Sequence, residues 1–109
     1  MKTIHYAGEE YLTGDELADA VVQYAKELAR HDTSASIDVP VALSDGTVVD
    51  ATFLLGPASQ LVALPTPSDL AEPTDQRVID FITLEMAKLE PLRALPTDDR
   101  DEDRFDYGI

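Results

Sequence analysis

Two segments in which apolar side chains alternate with other residues, 36–43 and 47–55, constrain the fold of this chain more than any other feature. A period of two residues is typical of a β-strand with one buried face. Between the two segments lies Ser44-Asp45-Gly46, which is made of residues that favour tight turns. The pattern therefore predicts a β-hairpin over residues 36–55.

The register of this hairpin follows from which side chains would face each other. A two-residue loop would place Val41 opposite Asp50 and would mix apolar with polar side chains on each face. A three-residue loop places Val41 opposite Val49, so that apolar side chains face each other along the whole hairpin. Three-residue loops favour glycine at their last position, which has a left-handed conformation. We therefore predict this second register, with a turn that begins at Ser44 and ends at Gly46.

Two other segments have the periodicity of amphipathic helices. The first covers about residues 12–31, where Thr13 and Glu16 have the spacing of a capping box and predict that Thr13 is the N-cap. The second begins at about residue 74 or 75, and Pro91 is expected to end or kink it. One of its faces carries the apolar residues Val78, Ile82, Met86 and Leu89, and an adjoining face carries Phe81, Leu84 and Ala87.

Short strands are also predicted at residues 3–6 and 59–64. Together the elements predict an α+β fold in the order β-α-β-β-β-α, with two layers: a small antiparallel sheet and two helices on one of its faces. Residues 1–96 are predicted to form a single domain. Residues 97–109 contain many charges and few apolar side chains, which predicts a disordered acidic tail.

The segment Gly56-Pro57-Ala58-Ser59-Gln60 follows an apolar run and invites comparison with catalytic loops. A nucleophile elbow has the pattern G-x-S-x-G, but Ser59 lies three residues after Gly56 and Leu61 replaces the second glycine. Gly-Pro pairs favour a reversal of the chain, and we predict a corner between strands here. His5 has no nucleophile signalled nearby, so we assign no catalytic residue.

The net charge is −14, from 22 acidic and 8 basic residues. Such a surface repels phosphate backbones and anionic membranes, so we expect neither nucleic acid nor membrane as a partner. A protein partner with a basic surface is expected instead. There is no cysteine, and the two histidines lack metal-ligand spacing, so we predict no cofactor and no metal site. The absence of cysteine and of an apolar N-terminal segment favours a cytoplasmic location.

The second helix carries more apolar surface than one sheet needs, which suggests a homodimer that uses Phe81 and Ile82. The alternative is that the tail or the preceding connector covers this surface. At the end of the chain Phe105, Tyr107 and Ile109 alternate with other residues, a pattern that could add a strand to a sheet edge. The alternative for this segment is an unstructured terminus.

These observations favour a non-catalytic protein-interaction or regulatory module. The alternative is a small enzyme or ligand-binding domain with a site near His5 or Ser59 that follows no known motif.

Overall fold

The computed structural model describes residues 1–89, which form a five-stranded antiparallel sheet and two helices. The strands are β1 (Lys2–Tyr6), β2 (Glu9–Thr13), β3 (Ala35–Ala42), β4 (Val48–Leu55) and β5 (Leu61–Pro65), and the helices are α1 (Asp15–Arg30) and α2 (Gln76–Leu89). Their order across the sheet is β4-β3-β2-β1-β5. The predicted α+β class is confirmed. The predicted tail, residues 97–109 with Phe105, Tyr107 and Ile109, lies outside the described residues, and so does Pro91, which is expected to end or kink the second helix.

The predicted element order is wrong by one strand, because β2 precedes α1. Ala7 and Gly8 have φ values of 53° and 82° and form a two-residue turn that pairs Tyr6 with Glu9. Positive φ at both central residues is the geometry that matches the twist of a hairpin. Glutamates are depleted in strands, so Glu9 and Glu10 give β2 little of the usual strand pattern.

The capping-box prediction is also wrong, since the N-cap of α1 is Gly14 and no side-chain cap is formed there. The Thr13 hydroxyl donates instead to the carbonyl oxygen of Pro40 at 2.7 Å, inside the core. The backbone amide of Asp15 donates to Glu72 Oε2 at 2.8 Å. A carboxylate 57 residues away in the connector before α2 therefore satisfies an amide at the start of α1.

The predicted hairpin is confirmed in detail. Val41 pairs with Val49, and on the same face Val39 pairs with Ala51 and Ile37 with Phe53, so apolar residues lie opposite one another there. The amide of Gly46 donates to the Leu43 carbonyl at 2.9 Å, and Gly46 has φ of 89°. The backbone amide of Thr47 donates to the carboxylate of Asp45, and this hydrogen bond lowers the pKa of Asp45. The three-residue turn is thus held by both backbone and side-chain bonds.

Gly46→Val is expected to destabilise the protein by about 1 kcal/mol or more, because a β-branched residue resists positive φ. A Cβ at this position would have ordinary contact distance to Leu70, so the cost is conformational and not steric. Ser44→Val adds the same side chain to the same turn at a residue without positive φ, and a smaller loss is expected. Urea denaturation of both variants measures the difference, and equal losses would contradict this explanation.

The core lies between α1 and the inner face of the sheet, and α2 packs against α1 on that same side. Its largest fully buried apolar side chains come from the strands and from both helices: Ile4, Leu17, Val21, Val39, Phe53, Leu55 and Ile82. α2 begins where the sequence predicts, because Asp75 accepts a hydrogen bond from the backbone amide of Arg77 at 3.0 Å and caps the helix. The two predicted helices therefore share one face of the sheet.

The sheet is strongly curled between β2 and β3. Within residues 1–89 a single register pair, Leu12 with Ala42, joins these two strands. The rings of Tyr6 and Tyr11 nevertheless pack edge-on against Phe53 of β4, with centroid distances of 5.6 and 5.2 Å. Because two strands separate β1 from β4 in the ladder, these contacts require the β3–β4 hairpin to fold back over the inner face.

Candidate functional site

His5 and Ser59 line the same groove, although they are far apart in the sequence. The groove has a volume of about 980 Å³ and lies between the β1–β2 turn and the connection from β4 to β5. Its lining comes from residues 5–10 and 54–62 together with Ser34, and most of these residues are exposed to solvent. The pairing of β1 with β5, which places His5 opposite Val62, brings the two segments together, so the groove is a consequence of tertiary structure.

Ser59 is used to hold a turn. Its backbone amide donates to the Gly56 carbonyl at 3.0 Å, and its Oγ accepts a hydrogen bond from the Gly56 amide at 2.9 Å. The same hydroxyl donates its proton to the Leu54 carbonyl at 3.2 Å. The prediction that this segment is a corner is confirmed. A serine whose proton is held by a backbone carbonyl, without a neighbouring base, is not arranged as a nucleophile.

His5 lies on the outer face of the sheet, opposite Glu10 of β2. Its Nδ1 is 3.9 Å from Glu10 Oε2, which is too long for a hydrogen bond. The His5 side chain is half-buried and that of Glu10 is exposed, and without a hydrogen bond between them the carboxylate does little to orient the imidazole. The groove thus contains a half-buried histidine without a hydrogen-bonded carboxylate, and a serine whose hydroxyl is already bonded to the turn.

His31 lies away from the groove, at the C-cap of α1, where the sequence places it. Its Nε2 is buried, has no hydrogen-bond partner among the described residues and is 4.0 Å from Glu27 Oε1. Residues 1–89 contain no group of three or more side chains that could hold a metal ion. No helix in this part of the chain is long and apolar enough to cross a membrane.

The two residues that the sequence analysis placed at a helix interface differ sharply in exposure. Ile82 is 0 % exposed and belongs to the core, whereas Phe81 is 47 % exposed. Leu84, one helical turn from Phe81, is 58 % exposed. We call Phe81 and Leu84 the α2 surface. Its signal in the sequence is the second apolar face of the helix, beside the face that carries Ile82.

A smaller cavity of about 410 Å³ lies between β3 and the start of α2, with Phe81 in its wall. Asp38, Asp75 and Arg77 also line it. Partial burial raises the pKa of Asp75, but hydrogen bonds from Arg77 outweigh burial and hold the pKa below its ordinary value. The Asp75 carboxylate in the wall of this cavity is thus already used to cap α2.

The outer face of the sheet also carries exposed apolar side chains that the sequence analysis did not select. Val48 and Leu54 lie on β4, and Val62 and Leu64 lie on β5. The alternating pattern places these residues on the solvent side of their strands, where polar residues are usual. The alternation thus predicts which face of the strand these residues lie on, but it does not predict that this face is exposed to solvent.

Comparison of this chain with protein-family models, with curated proteins and with solved structures found no significant match.

Proposed function

We propose that this protein is a non-catalytic protein-interaction module that forms a homodimer through the α2 surface. The observation that supports this most directly is the exposure of Phe81 and Leu84 side by side on one helix. Burying a side chain of this size contributes about 1.5–3 kcal/mol. A two-fold interface uses each residue twice, so four such side chains would be buried together.

The high negative charge opposes association of two copies, since each chain carries −14. Salt screens this repulsion, whereas it does not weaken the burial of apolar side chains. A dimer held by the α2 surface should therefore become more stable as salt is raised. A heterologous partner with a basic surface would show the opposite salt dependence, because its attraction to the chain would be screened.

Light scattering at micromolar concentration is expected to give twice the 11.9 kDa chain mass. Phe81→Asp and Leu84→Asp should each give a folded monomer, because a charge at the centre of an apolar contact is not compensated. Thr83→Asp is the matched control: it adds the same charge at an exposed position of α2 away from the α2 surface. A monomeric wild type, or a dimer that persists in both variants, would contradict the proposed homodimer through the α2 surface.

The second candidate function is small-ligand binding or catalysis in the groove. The observation that favours it is that His5 and Ser59 line the same groove. We expect that neither His5→Ala nor Ser59→Ala removes an activity, because no carboxylate is within hydrogen-bond distance of His5 Nδ1 and the Ser59 hydroxyl is bonded to the turn. A hydrolase and transferase screen of the wild type and both variants measures this. Turnover that either change abolishes, with the fold retained by circular dichroism, would establish the groove as an active site.

A further inference from the structure

Strand β4 presents a free edge. Within the described residues β3 is the one strand that pairs with it. The Leu43 amide donates to the Thr47 carbonyl at 2.8 Å, so Thr47 points its backbone groups toward β3. Because this direction alternates along an antiparallel strand, residues 48, 50, 52 and 54 point theirs away from β3. The Leu54 carbonyl confirms the direction, since it accepts hydrogen bonds from outside the ladder.

The two edges of the sheet differ in how well they could accept another strand. At the β5 edge the Thr66 amide donates to the Met1 carbonyl, so by the same alternation residues 61, 63 and 65 point outward. This strand has five residues, and Pro65 has no amide to donate. β4 has eight residues and no proline. Short strands and prolines protect edges from pairing, so β4 is the more open edge. Its outward backbone groups are open from Val48 to Thr52, whereas the Leu54 carbonyl is already bonded to Tyr6 and Ser59.

The side chains beside the open edge define the chemistry of a matching strand. Val48 and Leu54 are exposed near its two ends, and Leu54 is 63 % exposed. Between them lie Asp50 and Thr52, and the Thr52 hydroxyl donates to Asp38 of the neighbouring strand at 2.5 Å. Among the described residues no cation pairs with either carboxylate. The edge therefore presents apolar ends around two uncompensated negative charges.

We propose that the β4 edge binds an extended segment of a partner protein, with basic side chains opposite Asp50 and Thr52 and apolar side chains opposite Val48 and Leu54. Opposite charges on facing strands stabilise the pair, and main-chain bonds supply affinity. The inference rests on the proposed interaction function but not on the α2 surface. It names the partner's chemistry: a basic, alternating segment able to form a strand.

A second copy of this chain is a poorer occupant of the edge. Antiparallel two-fold pairing of β4 with β4 of another copy would place Asp38 and Asp50 of both copies on one outer face. Like charges on facing strands are destabilising, and each chain adds a net charge of −14. A basic segment avoids both the repulsion between facing carboxylates and the repulsion between two negative chains. We therefore expect the edge to bind a basic segment in preference to a second copy.

The probe is the acetylated and amidated peptide Val-Thr-Lys-Thr-Lys-Thr-Val, added to the full chain at low and at physiological salt. It reads the same in both directions, so its side chains match the edge in either strand orientation. In the antiparallel pairing that we propose, the lysine backbone amides face Asp50 and Thr52. We expect binding, measured by isothermal titration calorimetry, that weakens as salt rises. Replacing its lysines with glutamates, or methylating the lysine backbone amides, should abolish binding. No binding of the lysine peptide, or equal binding of the methylated form, would overturn the proposal.

Variants of β4 test the same edge from the protein side. Thr52→Pro removes an amide that points away from β3, so the ladder with β3 keeps its bonds. Thr52→Val removes the same hydroxyl but keeps the amide and is the matched control. We expect Thr52→Pro to weaken peptide binding by about tenfold or more relative to Thr52→Val. Equal binding by these two variants, with circular dichroism unchanged, would contradict strand addition.

Hydrogen exchange identifies any other occupant. In the full chain without peptide, the amides of Val48, Asp50 and Thr52 should exchange rapidly, and the peptide should slow them. Slow exchange in a dilute monomer would show that the chain covers its own edge and would overturn the proposal. A dimer that Thr52→Pro dissociates, but Phe81→Asp does not, would assign the edge to a second copy and would also overturn it. Because the peptide assay does not depend on the α2 surface, either proposal can fail alone.

Discussion

Ile82→Asp is expected to unfold the protein, whereas Phe81→Asp is expected to leave the fold intact. The two positions are adjacent in α2 and the substitution is the same. Ile82 is 0 % exposed within the core, while Phe81 is 47 % exposed. A carboxylate in place of Ile82 would lose the apolar contact and meet no partner, at a cost of about 4 kcal/mol or more.

Circular dichroism and urea denaturation of the two variants measure this contrast. Thr83→Asp, which is exposed on the same helix, controls for the effect of one added acid on a chain that is already strongly negative. If Ile82→Asp is as stable as Phe81→Asp, then α2 does not insert Ile82 into the core. The buried and exposed faces of α2 would then be wrongly assigned, and a monomeric Phe81→Asp would no longer locate a dimer interface.

Phe53→Ala is expected to destabilise the protein by about 3–5 kcal/mol, the usual cost of removing a buried phenylalanine. Phe53 is 1 % exposed, and the rings of Tyr6 and Tyr11 both pack edge-on against it. These contacts join the β3–β4 hairpin to β1 and β2, where the hydrogen-bonded ladder contributes one register pair. Loss of the ring should therefore loosen the attachment of the hairpin as well as leave a cavity.

Leu54→Ala is the matched control, because Leu54 is the next residue of β4 and its side chain lies on the exposed outer face. Its expected effect is within about 0.5 kcal/mol, as for most exposed positions. Thermal and urea denaturation of both variants give the comparison. Similar losses at the two positions would show that the hairpin does not fold back over the inner face as described.

Elements held by local interactions could be predicted from the sequence. The hairpin register depends on the alternation of residues 36–55 and on one glycine, and both act within a few residues of the turn. The start of α2 depends on Asp75, which caps a helix beginning at the next residue. The corner at Ser59 depends on Gly56-Pro57 and on bonds that span at most five residues.

The start of α1 could not be predicted in the same way, because distant residues decide it. Thr13 has the spacing of a cap, but it is the last residue of β2, where it pairs with Lys2 and its hydroxyl donates to the Pro40 carbonyl. Gly14 takes the cap position, where a Cβ would lie 2.2 Å from the Pro73 carbonyl oxygen. Glu72 of the same connector then satisfies the Asp15 amide. The capping-box spacing favours a cap at Thr13, but contacts with distant segments place the cap at Gly14 instead.

The candidate sites likewise include features set by the local sequence and features set by contacts between distant segments. By itself the sequence determined the α+β class, the hairpin, the corner at Ser59 and the two apolar faces of α2, since each follows from spacing along a regular element. Only the tertiary structure decided that Ile82 is buried while Phe81 is exposed, that His5 and Ser59 share a groove, and that β4 is an open edge. These depend on how the curled sheet brings distant segments together, and periodicity carries no information about which face another element will cover.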